Sequence, residues 1–451
     1  MSKRLWSLVA LFVVLSLMLG ACQQPTAVPE TEEAPAEAEE EAAPESGEEA
    51  EPVTITFWTH THPPLVDQVE KMIEEYEEMH PNVTVEYQVI PNNEFGDKMI
   101  TSFSTGTAPD IINMDNNKMT SIYMPKELVV PVDAQALGYD SVEDLRDAYV
   151  PGAFGGAEYE GEIYGIPSEF NVTAFAINTE HFEEAGLDPN DPPETWEEVG
   201  EMGQELVVRD EDGTLKRRGF DFLYLHRGWY HNQFGTLLLQ TGGRLVSPDG
   251  QEAMIDEPEA VEALEIWYDL VHEYEVSDPN VATREATVPY IDFVDGSMSM
   301  SLYNPWGMAF ITEETPTYNN YKIVPLPQHD PDNPAAPFYA YYWAVNAECE
   351  HKEEAFKFIQ YMASKPGEWL ENVNFIQPKK GWDELPEAEA IPFSSVWREQ
   401  MEVGEFMPVT PHADEVDDIV KDAIDKSLLE EVPPQEVFDE AAVNIEEVLQ
   451  E

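Results

Sequence analysis

The feature that most limits how this chain can fold is a change of hydrophobic period that recurs from residue 53 onward. Val53, Ile55 and Phe57 alternate with Thr54 and Thr56, the two-residue period of a strand. Leu65, Val69, Met72, Ile73, Tyr76 and Met79 then fall on one helical face, with Glu70, Glu74, Glu75 and Glu78 turned to water. Pro81 stops that helix, because proline has no N–H with which to continue it. Val83, Val85, Tyr87 and Val89 alternate again as far as Pro91. Phe95, Met99 and Phe103 predict a second helix, Gly106 and Pro109 break it, and Ile111-Ile112 begins a third strand. Strand, helix, strand, helix, strand at this spacing predicts the α/β class, a parallel sheet with helices on its faces.

Later segments follow the same style. Val172 to Ile177 reads as a strand. Pro258 opens a helix carrying Val261, Leu264, Tyr268 and Val271, and further helices are predicted over Glu353 to Met362 and Val416 to Leu428. No internal repeat is visible, which excludes a solenoid or propeller. At 451 residues the chain is longer than one α/β sheet requires, so two lobes are expected. The formal net charge of -68 repels nucleic acids and anionic lipid surfaces, so no nucleic-acid partner is expected.

The first residues have a different character. Lys3 and Arg4 precede an almost wholly apolar run from Leu5 to Leu19, and Leu19-Gly20-Ala21-Cys22 follows at once. A basic start, a short apolar core and small residues at its end read as a secretory signal, residues 1–22. The Leu-Gly-Ala-Cys ending is similar to the bacterial lipobox, which implies lipidation of Cys22 and a membrane anchor on the extracytoplasmic face. Residues 23–52 carry eleven Glu, no base and no aromatic residue. Such a stretch buries too little apolar surface to offset its ordering entropy, so a disordered, extended tether is expected. The acidity is not confined to it. Without those eleven glutamates 80 of the 91 acids remain, against 21 bases once Lys3 and Arg4 are set aside. Cys349 is the second and last cysteine, so neither a disulfide nor a thiolate metal cluster is expected.

A set of short motifs, in order along the chain, makes the reading specific. They are Ile55-Thr56-Phe57-Trp58; Tyr76 to Val85 with its His80-Pro81; Gly106-Thr107-Ala108-Pro109-Asp110; Tyr164-Gly165-Ile166-Pro167; Ile177-Asn178-Thr179-Glu180; Ala185-Gly186-Leu187; Pro192 to Trp196; Gln240-Thr241-Gly242-Gly243; Asp295-Gly296; and Asn304-Pro305-Trp306. In this order the chain resembles the extracellular solute-binding proteins of bacterial ABC importers, in the group that includes maltose- and other sugar-binding proteins. The resemblance implies a two-lobed, hinge-connected periplasmic-binding-protein fold, type II-like, with the ligand in the cleft between lobes. Carried onto this chain, one lobe is 53–164 plus 328–372 and the other 165–327 plus 373–451, with Ile323 to Pro327 as a returning hinge strand. It further implies a sugar or oligosaccharide ligand, ABC permease subunits as partners, a monomer, no cofactor and no enzymatic activity.

A sugar offers apolar C–H faces and a rim of hydroxyls, so its site needs flat aromatic rings beside carboxylates, amides and ring N–H groups. In open α/β sheets such groups stand just past the carboxyl ends of strands. On that ground Trp58 and His60, Asp115 and Asn116, and Glu169 and Asn171 are candidates. Trp306 resembles the stacking Trp of the family's Gly-Pro-Trp motif, with Asn304 in place of the usual Gly. In the cluster Tyr339, Tyr341, Tyr342 and Trp343, strand parity puts 339, 341 and 343 on one face, and Tyr341 and Trp343 are taken as cleft residues. Trp229, with Tyr230 and His231, forms another aromatic cluster where relatives place ligand contacts. Arg227 is the one base among these clusters, which disfavours a phosphate ligand, whereas a polyamine would suit acids with aromatic rings, and a polyol is a further alternative. A glycoside hydrolase needs two carboxylates facing across a bond, and no motif singles out a pair. His60 and His62 are spaced for one face of a strand, but a metal needs three or four ligands, so a polar loop is expected there.

Overall fold

The computed structural model describes residues 51–222, 227–247, 250–277, 289–407 and 412–450, and the side chains of 92–93 and 227–232 lie outside that description. Val53–His60 (β1) pairs in parallel with Val83–Ile90 (β2) on one side and Ile111–Asp115 (β3) on the other. Pro63–Met79 (α1) crosses between β1 and β2, and Asn92–Thr105 (α2) between β2 and β3, as the alternating periods predict. Gly106 ends α2 in the left-handed conformation, φ 68°, where a side chain would be strained.

α1 buries Leu65, Val69, Met72, Ile73 and Tyr76, but Met79 is 55% exposed. Gln68 is buried instead, because Pro366–Val373 (α6) satisfies its amide. Its Nε2 donates to Glu368 at 3.1 Å, and its Oε1 accepts from Asn372 at 2.8 Å.

The predicted strand at Val172 to Ile177 is two strands. Ile166–Val172 (β4) belongs to the first sheet and Ala174–Asn178 (β5) to a second, with Thr173 alone between them. Every residue of both strands is buried, so no polar alternation in the sequence marks the break. β5 is the centre of a three-stranded antiparallel sheet, flanked by Met300–Tyr303 (β6) and Tyr321–Val324 (β7). The first sheet is completed by Ala336–Val345 (β8), which runs antiparallel to both β3 and β4, and by Gly404–Phe406 (β9) beside its start. The sheet is thus mixed rather than purely parallel.

Helices Arg227–Thr241 (α3), Pro258–His272 (α4), Ala413–Glu430 (α7) and Pro434–Val448 (α8) pack on one another around the second sheet's side of the chain, while Lys352–Ala363 (α5) and α6 join α1. One apolar core fills the face of the first sheet under α1, α5 and α6, with Ile55, Phe57, Ile111, Val345, Phe358 and Trp369. The other starts on the opposite face at Ile112 and Met114 and continues without interruption through Phe175, Met300 and Trp267 to Phe438. Among the described residues no helix is long and apolar enough to cross a membrane.

Candidate functional site

The carboxyl ends of β1 and β3 and the middle of β4 meet at Tyr341. Tyr341 lies opposite Asp115 on β3 and opposite Glu169 on β4, and residues directly opposite in neighbouring strands share a face. β1 runs to His60, so Trp58 and His60 lie within the strand rather than after it. The His60 ring, on the last residue, stacks on Tyr341 with centroids 4.9 Å apart and meets Phe95 edge-on at 5.9 Å. Tyr339 faces Asn171 across the ladder and sets its ring at 89° to that of Tyr341, 5.5 Å away. Asn171 Nδ2 donates to Glu169 Oε1 at 2.6 Å. The β4–β8 register slips between Tyr341 and Tyr342, leaving Ser168 as an extra residue whose hydroxyl donates to Asn113 Oδ1 at 2.7 Å. His60, Asp115, Glu169, Asn171 and Tyr341 are therefore brought together.

Burial sets the charges here. It pushes the Glu169 carboxyl up to about 8, against a smaller downward pull from the Asn171 amide. Burial, and then the charge of His62, bring His60 down to about 4. Burial also raises Asp115, opposed by the Lys118 backbone N–H that it accepts at 3.0 Å and by the Lys118 charge. At neutral pH the cluster thus holds a neutral imidazole and a carboxyl that is mostly protonated, able to donate as well as accept. His60 Nδ1 and Asn171 Oδ1 are buried with no hydrogen-bond partner among the described residues.

Trp306 sits in a second aromatic group, in the 3-10 helix Pro305–Phe310 after β6. Tyr290 meets its ring edge-on at 5.0 Å and Phe310 at 5.9 Å. It lines a small cavity, shared with Tyr290, Gln233 and Ser301. The unusual Asn304 has a structural reason. Its Nδ2 donates to the Val172 carbonyl at 3.1 Å and to Thr173 Oγ1 at 3.2 Å, tying the Trp306 turn to the crossing between the two sheets.

Three candidates are placed elsewhere. Trp343 is fully buried and packs on Trp369 at 5.4 Å, so it is a core residue and not an open platform. It shares a face with Tyr341 as parity predicts, but α5 and α6 cover that stretch of the sheet. Asn116 is committed to the protein: its Oδ1 accepts from Ala340 N–H at 3.1 Å and its Nδ2 donates to Asn117 at 2.8 Å. It positions β8 behind the cluster. Trp58 packs toward the α2 side, with the Lys98 ammonium 4.8 Å over its ring. The side chains of Trp229, Tyr230 and His231, and all of Cys22, lie outside the described residues.

Sequence reasoning passed over Tyr339 and Gln377 and set His62 aside as loop. His62 is 8% exposed and Gln377 1%, each with polar atoms unpartnered among the described residues. The available signal at His62 was a helix entry lacking Ser, Thr, Asp or Asn at the capping position. Among the described residues no three His, Cys, Asp or Glu side chains are placed to hold a metal ion.

Comparison with known proteins places this geometry in a family. The profile of the bacterial extracellular solute-binding proteins matches residues 62–369. An arabinooligosaccharide-binding protein of Halalkalibacterium halodurans is 22% identical over 346 residues, 75% of this chain and 74% of the relative. A solute-binding protein of Thermotoga lettingae bound to α-D-tagatose superposes with a TM-score of 0.76 at 21% identity, covering 88% of this chain and 99% of the other. A Listeria monocytogenes substrate-binding protein in complex with cycloalternan gives 0.75 at 20% identity, covering 89% and 100%. These likenesses fix the architecture as the two-lobed, hinge-connected binding-protein fold. The chain belongs to the bacterial extracellular solute-binding proteins.

Proposed function

We propose that this protein captures a sugar in the cleft that holds the His60–Tyr341 cluster and Trp306, and delivers it to an ABC importer without chemical change. One observation carries the proposal. Aromatic rings stand beside buried polar atoms, His60 Nδ1 and Asn171 Oδ1, that no described protein group satisfies. An unpaired buried polar group costs about 1–3 kcal/mol, and a hydroxyl-rich ligand removes that cost. The ligands of the relatives named above are carbohydrates, which supports the same class here. The lobes are 53–164 plus 328–372 and 165–327 plus 373–451, and they close on the ligand by a hinge at the crossings. A monomer works in this way, anchored outside the cytoplasm by a lipid on Cys22 and held off the membrane by residues 23–52. A polyamine is the second reading, favoured by the Asp115 carboxyl opposite Tyr341.

A thermal-shift screen of the purified protein against saccharides, polyols, polyamines and divalent metals tests this. A ligand at a hundredfold excess over its Kd stabilises by about 2.7 kcal/mol. A shift with a saccharide, lost in Trp306→Ala, is expected. A shift with polyamines alone would replace the ligand class and leave the importer role standing. Release of reducing sugar from oligosaccharides would overturn the reading as a pure binder.

A further inference from the structure

We infer that Asn304 is a positioning residue: it binds the turn that carries Trp306 to the crossing between the two sheets, so that the Trp306 ring follows the hinge. This inference rests on the reading of Trp306 as a ligand contact and deepens it.

The place of Asn304 follows from strand register. β5 and β6 pair antiparallel, and Tyr303 opposite Ala174 is the last pair at that end. The next residues outward are Asn304 and Thr173, and Thr173 is the single residue between β4 and β5. The ladder stops there because Pro305 has no N–H with which to continue it and opens the 3-10 helix instead. The Asn304 side chain takes over where the backbone pairing ends. Its amide donates to two acceptors on successive residues, the Val172 carbonyl at 3.1 Å and Thr173 Oγ1 at 3.2 Å. A carbonyl only accepts, which fixes the orientation of the amide. Val172 is the last residue of β4, in the first sheet, and is fully buried. One side chain therefore starts from the second sheet and ends on a strand of the first.

The turn beyond is stiff, which lets that bond act on a residue two positions away. Tyr303 is buried, and its hydroxyl donates to the Gly307 carbonyl at 2.9 Å, spanning the turn. Gly307 lies so close to the Tyr303 ring that a Cβ there would come within 2.8 Å of it. Trp306 thus stands between two anchors, Asn304 behind it and the Tyr303–Gly307 bond ahead. Its ring packs with the core of the first sheet, although its turn springs from the second. A ring rooted in one sheet and packed against the other is displaced by any rotation between them. On this crossing the rotation turns about Thr173, and Asn304 holds Thr173 directly. Asn171 and Glu169 lie two and four residues before Thr173 on the same stretch of chain. The bond therefore also sets Trp306 against the polar end of the proposed site.

Two measurements on the purified protein test this. The first needs no ligand. In an NMR spectrum of isotopically labelled tryptophan the chain's ten indole N–H groups report separately, and the signal of Trp306 is the one lost in Trp306→Phe. It is expected to move in Asn304→Ala and in Thr173→Val, while those of Trp267 and Trp397, in the other core and assigned the same way, stay in place. A Trp306 signal unmoved in both variants overturns the inference. The second is calorimetric titration with maltotriose and with arabinotriose. Asn304→Ala is expected to weaken whichever binds about tenfold, but by less than about twofold in a Trp306→Ala background, where no ring is left to misplace. Additive losses overturn the inference and leave the carbohydrate reading standing. A lowered unfolding temperature with unchanged affinity marks a bond that only holds the fold, and overturns it too. If neither trisaccharide binds, the indole spectrum alone decides on Asn304, and the wider screen decides on the carbohydrate reading.

Discussion

Two buried polar regions of this molecule look alike in composition and differ in closure. Around Arg218, 3% exposed, the guanidinium donates to Asp221 at 2.8 Å and to Asp292, and both acids are as deeply buried as the arginine. The Arg218 backbone is held as well, to Ser297 at 3.0 Å and from Ser299 at 3.0 Å. Around His60 and Asn171 the burial is similar, but polar atoms are left open. Where a buried polar group finds its partner within the protein, it is architecture. On the reading proposed above, His60 and Asn171 are left open for the ligand, whereas Trp343 Nε1, buried and likewise without a partner among the described residues, belongs to the core.

The comparison can be broken from either side. The largest effect is expected at the closed region. Asp292→Ala leaves Arg218 buried beside a lost counter-charge and should cost about 3–5 kcal/mol in chemical unfolding, and a loss under 1 kcal/mol would deny it a structural role. At the proposed ligand site the order reverses. Trp306→Ala should weaken ligand binding by about 2 kcal/mol, roughly thirtyfold, in calorimetric titration, with a smaller loss of unfolding temperature. A pH series sharpens the contrast. Glu169 is raised from 4.5 to about 8 on folding, so the folded state holds its proton more tightly. Its contribution to stability is full below pH 4.5 and is lost as pH rises toward 8. Glu169→Gln should flatten that part of the profile. His60 has the opposite sign: lowered from 6.5 to about 4, it removes stability as pH falls through that window. The smallest effect is expected for the Lys118–Asp414 ion pair between the turn that follows β3 and α7, whose side chains are 24% and 30% exposed. Lys118→Ala should cost no more than about 1 kcal/mol and less in high salt.

The sequence carried the fold further than the site. Period-two and helical patterns located β1, β2, α1 and α2, and Pro258 marked the start of α4, because those elements have one wet face. β4 and β5 are dry on both faces, so Val172 to Ile177 read as one strand although Thr173 separates two sheets. On β8, parity correctly paired Tyr341 with Trp343. Parity gives a face, however, and not a depth along the strand, and only the position of Trp369 decides which of the two is covered. His62 went unrecognised because Pro63-Pro64 makes its surroundings read as loop. Its burial depends on Phe375, more than three hundred positions away and brought close only by folding.

The uninterrupted apolar core has a consequence for how the molecule comes apart. From Ile112 beneath β3, through Phe175 on β5, to Phe438 on α8, each buried side chain belongs to one cluster, and β4 enters β5 with a single residue between. This shared core couples the two lobes, so they are expected to melt together. Heating should give one calorimetric peak, and a chain severed at residue 165 should leave two fragments that do not fold alone but regain structure when mixed.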